Sequence, residues 1–308
     1  MGNFHWTDRR NHIPVRIRCA AHASATQARR GSRRLILMNK VYWLTKHPYL
    51  QPIAEVQALV DAATAEVCVP SANIPDWREY SHEYQTGIAL LASSRCTIDL
   101  CPAGEIFPAF LERLAEKPLP VELANESRSL VHELSQTPDA PTRAIAWLLG
   151  KDSFITAHPS LIYFFGWRFL AHYLSPVVIA FSSWRDEDRW LQNYCPTCGG
   201  LPAMSQLISV DSVRLRLLSC ASCLTRWRYH RIGCPFCEED DHRRLATLAV
   251  QGETLLRIDY CESCGGYLKT YDGQGMESLM LADWTSLYLD VVACDRGLKR
   301  LAGTLFRI

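Results

Sequence analysis

The chain has 308 residues, of which 48% are hydrophobic and 21% are charged, and its formal net charge is +1. This composition is typical of an ordinary soluble globular protein, and the length suggests roughly two domains. Because the net charge is close to zero, it gives no general reason to expect a nucleic-acid or membrane partner, although a local charged patch can still bind one.

The first 38 residues differ from the rest of the chain. They contain eight arginines and one acidic residue, Asp8, with few apolar side chains. A targeting segment or a basic arm has this composition, and a start codon placed too far upstream would also add such residues. We expect residues 1–38 to form a basic, disordered tail.

Residues 39–188 have the pattern of a helical domain. In "LQPIAEVQALVDAATAEV" the apolar side chains recur at spacings of three and four, which places them on one face of a helix. These side chains are Ile53, Val56, Val60, Ala63 and Val67. "EIFPAFLERLAEK", "VELANESRSLVHELSQ" and "APTRAIAWLLG" follow the same pattern, and "VPSANIP", "CPAGE", "EKPLP" and "TPDAP" separate the segments. We therefore predict an all-α bundle with short connections.

The most apolar window runs from Leu161 to Phe181 and has the length of a membrane span. It contains Arg168, His172 and Pro176, which favour a buried core helix that ends or kinks near the proline. No secretory signal is evident, because the apolar cluster "LILM" is too short for one. We expect no membrane span and a cytoplasmic location.

The pattern changes after the charged segment "SSWRDEDRWLQN", which we interpret as a linker or domain edge. Short alternating runs predict strands in "SVRLRLLSC" and two further strands, joined at Gln251-Gly252, in "LATLAVQGETLLRIDYC". Beyond Gly275 helical spacing returns and predicts a C-terminal helix. The residues that share its face are Met280, Trp284, Leu287, Tyr288 and Val291.

Eight of the 13 cysteines form four Cys-x-x-Cys pairs. Two intervening residues let a tight turn direct both sulfurs at one ion, while backbone N–H groups disperse the thiolate charge. Gly199 and Gly265 follow the first and last pairs, where a left-handed residue is wanted, and the middle pairs lack this glycine and are expected to be less regular. The predicted metal ligands are Cys195, Cys198, Cys220, Cys223, Cys234, Cys237, Cys261 and Cys264. The other five, Cys19, Cys68, Cys96, Cys101 and Cys294, are interpreted as buried or neutral side chains.

The intervals between the pairs are those of a zinc ribbon or rubredoxin-like module. Residues 199–219 and 238–260 are each long enough for a hairpin, so we expect two tandem sites with sequential pairing, and a nested pairing stays open. Four thiolates suit both zinc and iron. A redox dithiol is disfavoured because such a pair normally stands alone, and a disulfide framework would require export.

These predictions give an α+β fold. The predicted domains are the basic tail at 1–38, a helical domain at 39–188, a first rubredoxin-like or zinc-ribbon module at 189–230, a second at 231–273, and a C-terminal helix and tail at 274–308.

The segment "VRLRLLSCASCLTRWRYHRIGC" combines five arginines with Trp227, Tyr229 and His230. Cations and aromatic rings together are typical of nucleic-acid-binding ribbons. Three interpretations are open: arginines that compensate the negative thiolate sites around buried rings, a protein-docking face, and a nucleic-acid site.

No catalytic constellation is evident in the sequence. A second metal-binding histidine is missing after both His82-Glu83 and His132-Glu133, and no phosphate-binding glycine loop, dinucleotide fingerprint or nucleophile elbow occurs. We therefore predict that the protein is not an enzyme.

The order of "CPTCGGLP", "LRLLSCASCLTRWRYHRIGCPFCEE", "CESCGGYLK" and "LADWTSLYLD" resembles the FdhE family of formate dehydrogenase accessory proteins. Trp227 and Arg231, and the run Gly266-Tyr267-Leu268-Lys269, fall in family positions. In the helical domain the similarity is weaker and lies in "WLTKHPYLQPIAEVQAL".

The resemblance implies a cytoplasmic assembly factor that binds the catalytic subunit of a respiratory formate dehydrogenase and proofreads it before twin-arginine export. It also implies two rubredoxin-like modules that bind iron through the eight paired cysteines, with zinc as the alternative ion. A nucleic-acid-binding double zinc ribbon and an iron-based redox protein are the alternative functions, and a homodimer is left open.

Overall fold

The computed structural model describes residues 39–67 and 72–303. The predictions for the basic tail at 1–38 and for Cys68 lie outside these ranges. Within them helices come first, a six-stranded sheet follows and short helices come last, so the fold is mixed α/β as predicted.

The helices before the sheet largely follow the predicted segments. "CPAGE", predicted to separate helices, instead forms the first turn of one, because Pro102 stands where a helix needs no N–H donor. Residues 39–46 are also helical. The bounds of the others are α1 Gln51–Glu66, α2 Trp77–Gln85, α3 Cys101–Ala115, α4 Val121–Leu134, α5 Ala140–Leu148, α6 Pro159–Tyr173 and α7 Ser175–Trp184.

Helix α2 was not predicted, because its sequence "WREYSHEYQ" is mostly polar. Asp76 caps its first turn by accepting a hydrogen bond from the Arg78 N–H at 3.0 Å. Tyr80 and Tyr84, four residues apart, are 0% and 5% exposed and attach the helix to the core. These two aromatic rings hold one face of the helix against the core, while Arg78 and Gln85 on its other side are exposed.

The apolar window forms two helices, as its proline predicts. Helices α6 and α7 meet at a bend of 59°, and Phe165, Phe169 and Phe181 are fully buried in the core. Among the described residues no single helix is long and apolar enough to cross a membrane. The bent pair of α6 and α7 reaches that length and apolar composition only when the two helices are taken together.

The two cysteine-bearing halves build one sheet, with strand order β3-β2-β1-β6-β5-β4. The strands β1 and β6 are parallel, with Met204 opposite Lys269, and every other neighbouring pair is antiparallel. The bounds are β1 Pro202–Val210, β2 Val213–Cys220, β3 Arg226–Tyr229, β4 Leu245–Leu248, β5 Leu256–Cys261 and β6 Tyr267–Asp272. The turn at Gln251-Gly252 lies between β4 and β5, as predicted.

Parallel pairing of β1 with β6 sets the position of the cysteines. Strand β1 begins just after the first Cys-x-x-Cys pair, and β6 begins just after the last. Their antiparallel neighbours run the other way: β2 ends at Cys220, the first cysteine of the second pair, and β5 ends at Cys261, the first cysteine of the last pair. Both sets of cysteines therefore lie side by side at the same end of the sheet.

The C-terminal region is not the single helix that the spacing predicts. It consists of α8 (Glu277–Met280), a 3-10 turn (Asp283–Ser286) and α9 (Leu287–Asp295). The Thr285 hydroxyl donates to the carbonyls of Leu279 and Ala282, which satisfies groups that the break exposes. Met280 and Trp284 are buried as expected, whereas Val291 is 45% exposed.

One hydrophobic core extends from the helices into the sheet. It includes Phe107 and Ile162 of the helices together with Cys195 and Trp227 of the cysteine-bearing region. The predicted linker after α7 also packs into it, since Trp190 is 1% exposed and stacks on a tyrosine ring of α2. The helices and the first cysteine cluster are therefore stabilised by the same packing.

Candidate metal centres

The structure brings the eight paired cysteines into two clusters. Within each cluster four sulfurs lie within 4.8 Å of one another. The grouping is sequential, not nested. Site 1 consists of Cys195, Cys198, Cys220 and Cys223, and site 2 of Cys234, Cys237, Cys261 and Cys264.

The sulfur spacing fits a tetrahedral ion. In site 1 the Sγ atoms of Cys198 and Cys220 are 3.5 Å apart, and in site 2 those of Cys237 and Cys261 are 3.7 Å apart. Four sulfurs about 2.3 Å from a central zinc stand roughly 3.8 Å from one another, whereas a disulfide brings them to about 2.05 Å. Each cluster can therefore hold one metal ion, and its ligand set does not distinguish zinc from iron.

Each Cys-x-x-Cys loop ends in a left-handed residue. In all four loops the N–H of the first cysteine donates to the carbonyl five residues later, at 2.8 to 3.0 Å. The prediction that the middle pairs are less regular was therefore wrong, because a leucine and a glutamate adopt the conformation that glycine adopts in the other two. The residues and their φ angles are Gly199 at +77°, Leu224 at +60°, Glu238 at +60° and Gly265 at +70°.

Glycine substitutions at these positions test the loop geometry. A non-glycine residue in the left-handed region costs about 1–2 kcal/mol, so Glu238→Gly is expected to stabilise the metal-loaded protein by up to roughly 1 kcal/mol after the entropy of the unfolded glycine is subtracted. Gly265→Ala is expected to destabilise it by about 1 kcal/mol through backbone strain alone, since an added Cβ at Gly265 meets nothing within 4 Å.

Urea unfolding of the metal-loaded proteins measures both effects. The matched control is Asp240→Gly, two residues from Glu238, where φ is negative and glycine brings only its entropic cost. A Glu238→Gly protein that loses as much stability as Asp240→Gly would contradict the prediction.

Site 1 is fastened to the helical part of the chain. Leu90 and Leu91, in the 3-10 turn Leu90–Ala92, donate their N–H groups to the carbonyls of Pro196 and Thr197 at 2.9 and 2.8 Å. The Tyr194 hydroxyl donates to the Gly87 carbonyl at 2.6 Å. Three of the four cysteines of site 1 are buried. The first Cys-x-x-Cys loop is therefore hydrogen-bonded directly to the helical part of the chain.

Site 2 is more accessible and is joined to the end of the described chain. Cys237 is exposed and Cys264 is half-buried. The Lys299 N–H donates to the Gly265 carbonyl at 2.8 Å, and the Tyr267 N–H donates to the Lys299 carbonyl at 3.2 Å. Residues after α9 therefore hold the last Cys-x-x-Cys loop from outside.

The thiols of site 1 perturb one another in opposite directions. Burial raises the pKa of Cys195 well above its ordinary value. Hydrogen bonds from Cys195, Cys198 and Cys223 lower the pKa of Cys220 well below it. Such a cluster stabilises a thiolate among thiols, and a bound cation would take the place of the remaining protons.

A buried ion network lies beside the sheet and was missed by the sequence reasoning. The Lys269 side chain is 0% exposed, and its Nζ lies 2.6 Å from a carboxylate oxygen of Asp283 and 2.6 Å from one of Asp290. Arg300 pairs with the same two carboxylates. The Tyr267 hydroxyl donates to Asp290 at 2.6 Å. The signal in the sequence was a lysine at an inward position of a strand, between Leu268 and Thr270.

The aromatic residues of the basic segment belong to the core. Trp227 is 0% exposed and Tyr229 is 6% exposed. Arg228 of β3 pairs with Asp188, and Arg216 of β2 is 6% exposed. The buried rings agree with the first interpretation, whereas its compensation of the thiolate charge by arginines stays a prediction.

The described cysteines outside the pairs do not join either cluster. Cys96 is buried, whereas Cys101 and Cys294 are exposed. Cys19 and Cys68 lie outside the described ranges.

Known proteins resemble this chain in sequence. The model of the FdhE central domain matches residues 194–231. An FdhE homolog of Aquifex aeolicus is 31% identical over 42% of this chain and 47% of its own length. A homolog of Pseudomonas aeruginosa is 34% identical over 36% of this chain and 38% of its own length. A homolog of Shewanella oneidensis is 29% identical over 63% of this chain and 60% of its own length. In these matches the chain spans less than two thirds of each relative.

A solved structure extends the similarity. The crystal structure of the FdhE protein from Pseudomonas aeruginosa matches 84% of this chain and 88% of its own, with a TM-score of 0.55 and 25% identity. The matched region includes the helical part, for which the sequence similarity was weak. The cysteine-bearing segment and the shared fold are therefore both similar to those of FdhE proteins.

Proposed function

We propose that this protein is a non-enzymatic assembly and proofreading factor, which binds the catalytic subunit of a respiratory formate dehydrogenase in the cytoplasm before twin-arginine export. The observation that carries the proposal is the pair of four-cysteine sites at one end of a shared sheet, in a chain similar to FdhE proteins. A site with four protein ligands leaves no coordination position for a substrate, which supports a structural role for the ions.

The eight cysteines are the proposed ligands of two iron ions, with zinc as the alternative. Iron follows from the family resemblance, and the donor set supports either ion. An absorption spectrum and elemental analysis of protein purified without oxygen test this assignment. We expect about two iron equivalents and thiolate-to-iron absorption. A colourless protein with two zinc equivalents would replace iron by zinc and leave the structural role intact.

The packing of the basic segment supports a protein partner over a nucleic acid. Base stacking requires accessible rings, whereas Trp227 and Tyr229 are buried. Arg214 and Arg228 are already paired with Asp272 and Asp188. These arginines therefore have acidic partners within the protein.

Co-purification tests the proposed client. The tagged, metal-loaded chain is expressed with a formate dehydrogenase catalytic subunit, and in parallel with the catalytic subunit of another enzyme exported by the twin-arginine route. We expect a complex with the first subunit and none with the second. Failure to recover the formate dehydrogenase subunit, with both metal sites loaded, would overturn the proposal. Equal recovery of both subunits would remove its client specificity.

A further inference from the structure

A second type of site lies between helix α6, the start of β1 and the C-terminal segment. It is a cavity of about 300 Å³, lined in part by Cys220 of site 1. This volume corresponds to roughly ten water molecules in the liquid. Most of its lining is apolar and is supplied by Ala203, Met204, Ala221, Leu224, Leu281 and Ala282.

One cation in this lining has no partner. Arg168 is the single charged residue of α6, and its side chain lines the cavity. Its Nε is buried without a hydrogen bond, and within the described ranges its guanidinium makes no ion pair. Burial lowers the pKa of Arg168, and the more distant carboxylates of Asp61 and Asp283 oppose this effect. Arg168 is half-buried, and an anion close to its guanidinium would offset the cost of this partial burial.

A second arginine of the cavity is only partly satisfied. Arg226 donates to the Gln206 side chain, while its Nε is buried without a partner. Burial also lowers the pKa of Arg226, against the opposing charges of Glu277 and Glu187. Both arginines of the lining therefore keep a buried Nε without a hydrogen bond.

The acidic residues of the lining are occupied by other groups. Glu277 accepts hydrogen bonds from the Gly275 N–H at 2.9 Å and from Gln206 at 3.0 Å. Asp283 is held by Lys269 and Arg300. The lining thus holds two arginines and two carboxylates, and both carboxylates are engaged by groups other than Arg168.

We propose that this cavity binds a small carboxylic acid, with its carboxylate on Arg168 and its apolar body against the alanine and leucine side chains. The planar guanidinium of Arg168 matches a carboxylate in geometry. The apolar lining disfavours a strongly hydrated dianion such as phosphate. The site does not depend on the proposed client or on the identity of the metal.

Titration calorimetry of the metal-loaded chain tests the site with hexanoate and benzoate. The neutral comparisons are hexan-1-ol and benzyl alcohol, and inorganic phosphate is the dianion. We expect at least one carboxylate to bind at least tenfold more tightly than its alcohol and than phosphate. Two carboxylates that bind no better than their alcohols would overturn the proposal.

Two variants locate the binding. Arg168→Met is expected to weaken carboxylate binding at least tenfold, whereas Arg231→Met removes an exposed arginine elsewhere and should leave it unchanged. Ala282→Leu keeps Arg168 and fills the cavity, so it should also abolish binding, which keeps the test decisive if Arg168→Met fails to fold. Carboxylate binding that survives Ala282→Leu in a folded, metal-loaded protein would place the ligand elsewhere and contradict the inference.

Discussion

Cys198→Ser and Cys264→Ser are each expected to remove about one metal equivalent and to cause the largest loss of stability of any single substitution in the chain. Serine does not supply a thiolate, and each variant leaves only three sulfurs in its cluster. Structural tetrathiolate sites contribute on the order of 10 kcal/mol to folding. Elemental analysis per polypeptide and urea unfolding of the purified variants measure the two effects.

The two substitutions differ in how far their effects extend. Site 1 shares the hydrophobic core with the helices, so Cys198→Ser should also loosen the 3-10 turn Leu90–Ala92 that is bonded to its first loop. Site 2 has an exposed cysteine and its loop is bonded to Lys299, so Cys264→Ser should act mainly on β5, β6 and the last described residues. Amide hydrogen exchange distinguishes these patterns.

Cys294→Ser is the matched control for both. Cys294 is exposed and belongs to neither cluster, so its replacement should change neither metal content nor stability by a measurable amount. Unchanged metal content in Cys198→Ser or Cys264→Ser would refute the assignment of that cluster as a metal site. Metal loss in Cys294→Ser would show that the metal is bound elsewhere.

The composition of the clusters was accessible from the sequence because it depends on local spacing. A Cys-x-x-Cys loop fixes two sulfurs through its own turn, and a hairpin-length interval brings the next pair beside it. The left-handed Leu224 and Glu238 were not predicted, since neither residue type favours a positive φ. The loop imposes their conformation, and the type of residue at these two positions does not indicate it.

The single sheet could not be predicted, because it depends on pairing distant segments. Paired residues of β1 and β6, such as Met204 and Lys269, are 65 positions apart in the chain, and nothing in the alternation of these strands selects a parallel partner. Which side chains of β2 are buried also depends on how the sheet assembles. The Arg216 guanidinium donates to the Gly233 carbonyl at 2.7 Å under the next loop, while Leu217 is half-buried.

Arg168 and Lys269 illustrate a related limit. Each stands in an otherwise apolar or inward-facing run, which marks it as unusual in the sequence. Whether such a cation has a partner depends on residues far along the chain. Lys269 forms ion pairs with Asp283 and Asp290 of the C-terminal segment, whereas Arg168 forms no ion pair with a carboxylate within the described ranges.

Asp290→Asn is expected to destabilise the protein by about 3–5 kcal/mol, because it leaves a fully buried lysine with one carboxylate in place of two. The change also removes the charge that Arg300 and the Tyr267 hydroxyl contact. Urea unfolding of the metal-loaded protein measures the effect. Glu66→Gln, which breaks the more exposed pair with Lys117, is the control and should cost less than about 1 kcal/mol.

We attribute the loss of stability in Asp290→Asn to unbalanced buried charge. Removing the positive charge of Lys269 as well should therefore recover part of the lost stability. In the double variant Lys269→Met with Asp290→Asn, Arg300 and Asp283 remain as a neutral pair. A methionine of similar length fills the space of the lysine stem and needs no carboxylate. We expect the double variant to be more stable than Asp290→Asn alone by at least about 1 kcal/mol. If it is less stable, Lys269 acts through its hydrogen bonds to the Asp283 and Ser286 carbonyls, and those bonds rather than charge balance hold the C-terminal segment on β6.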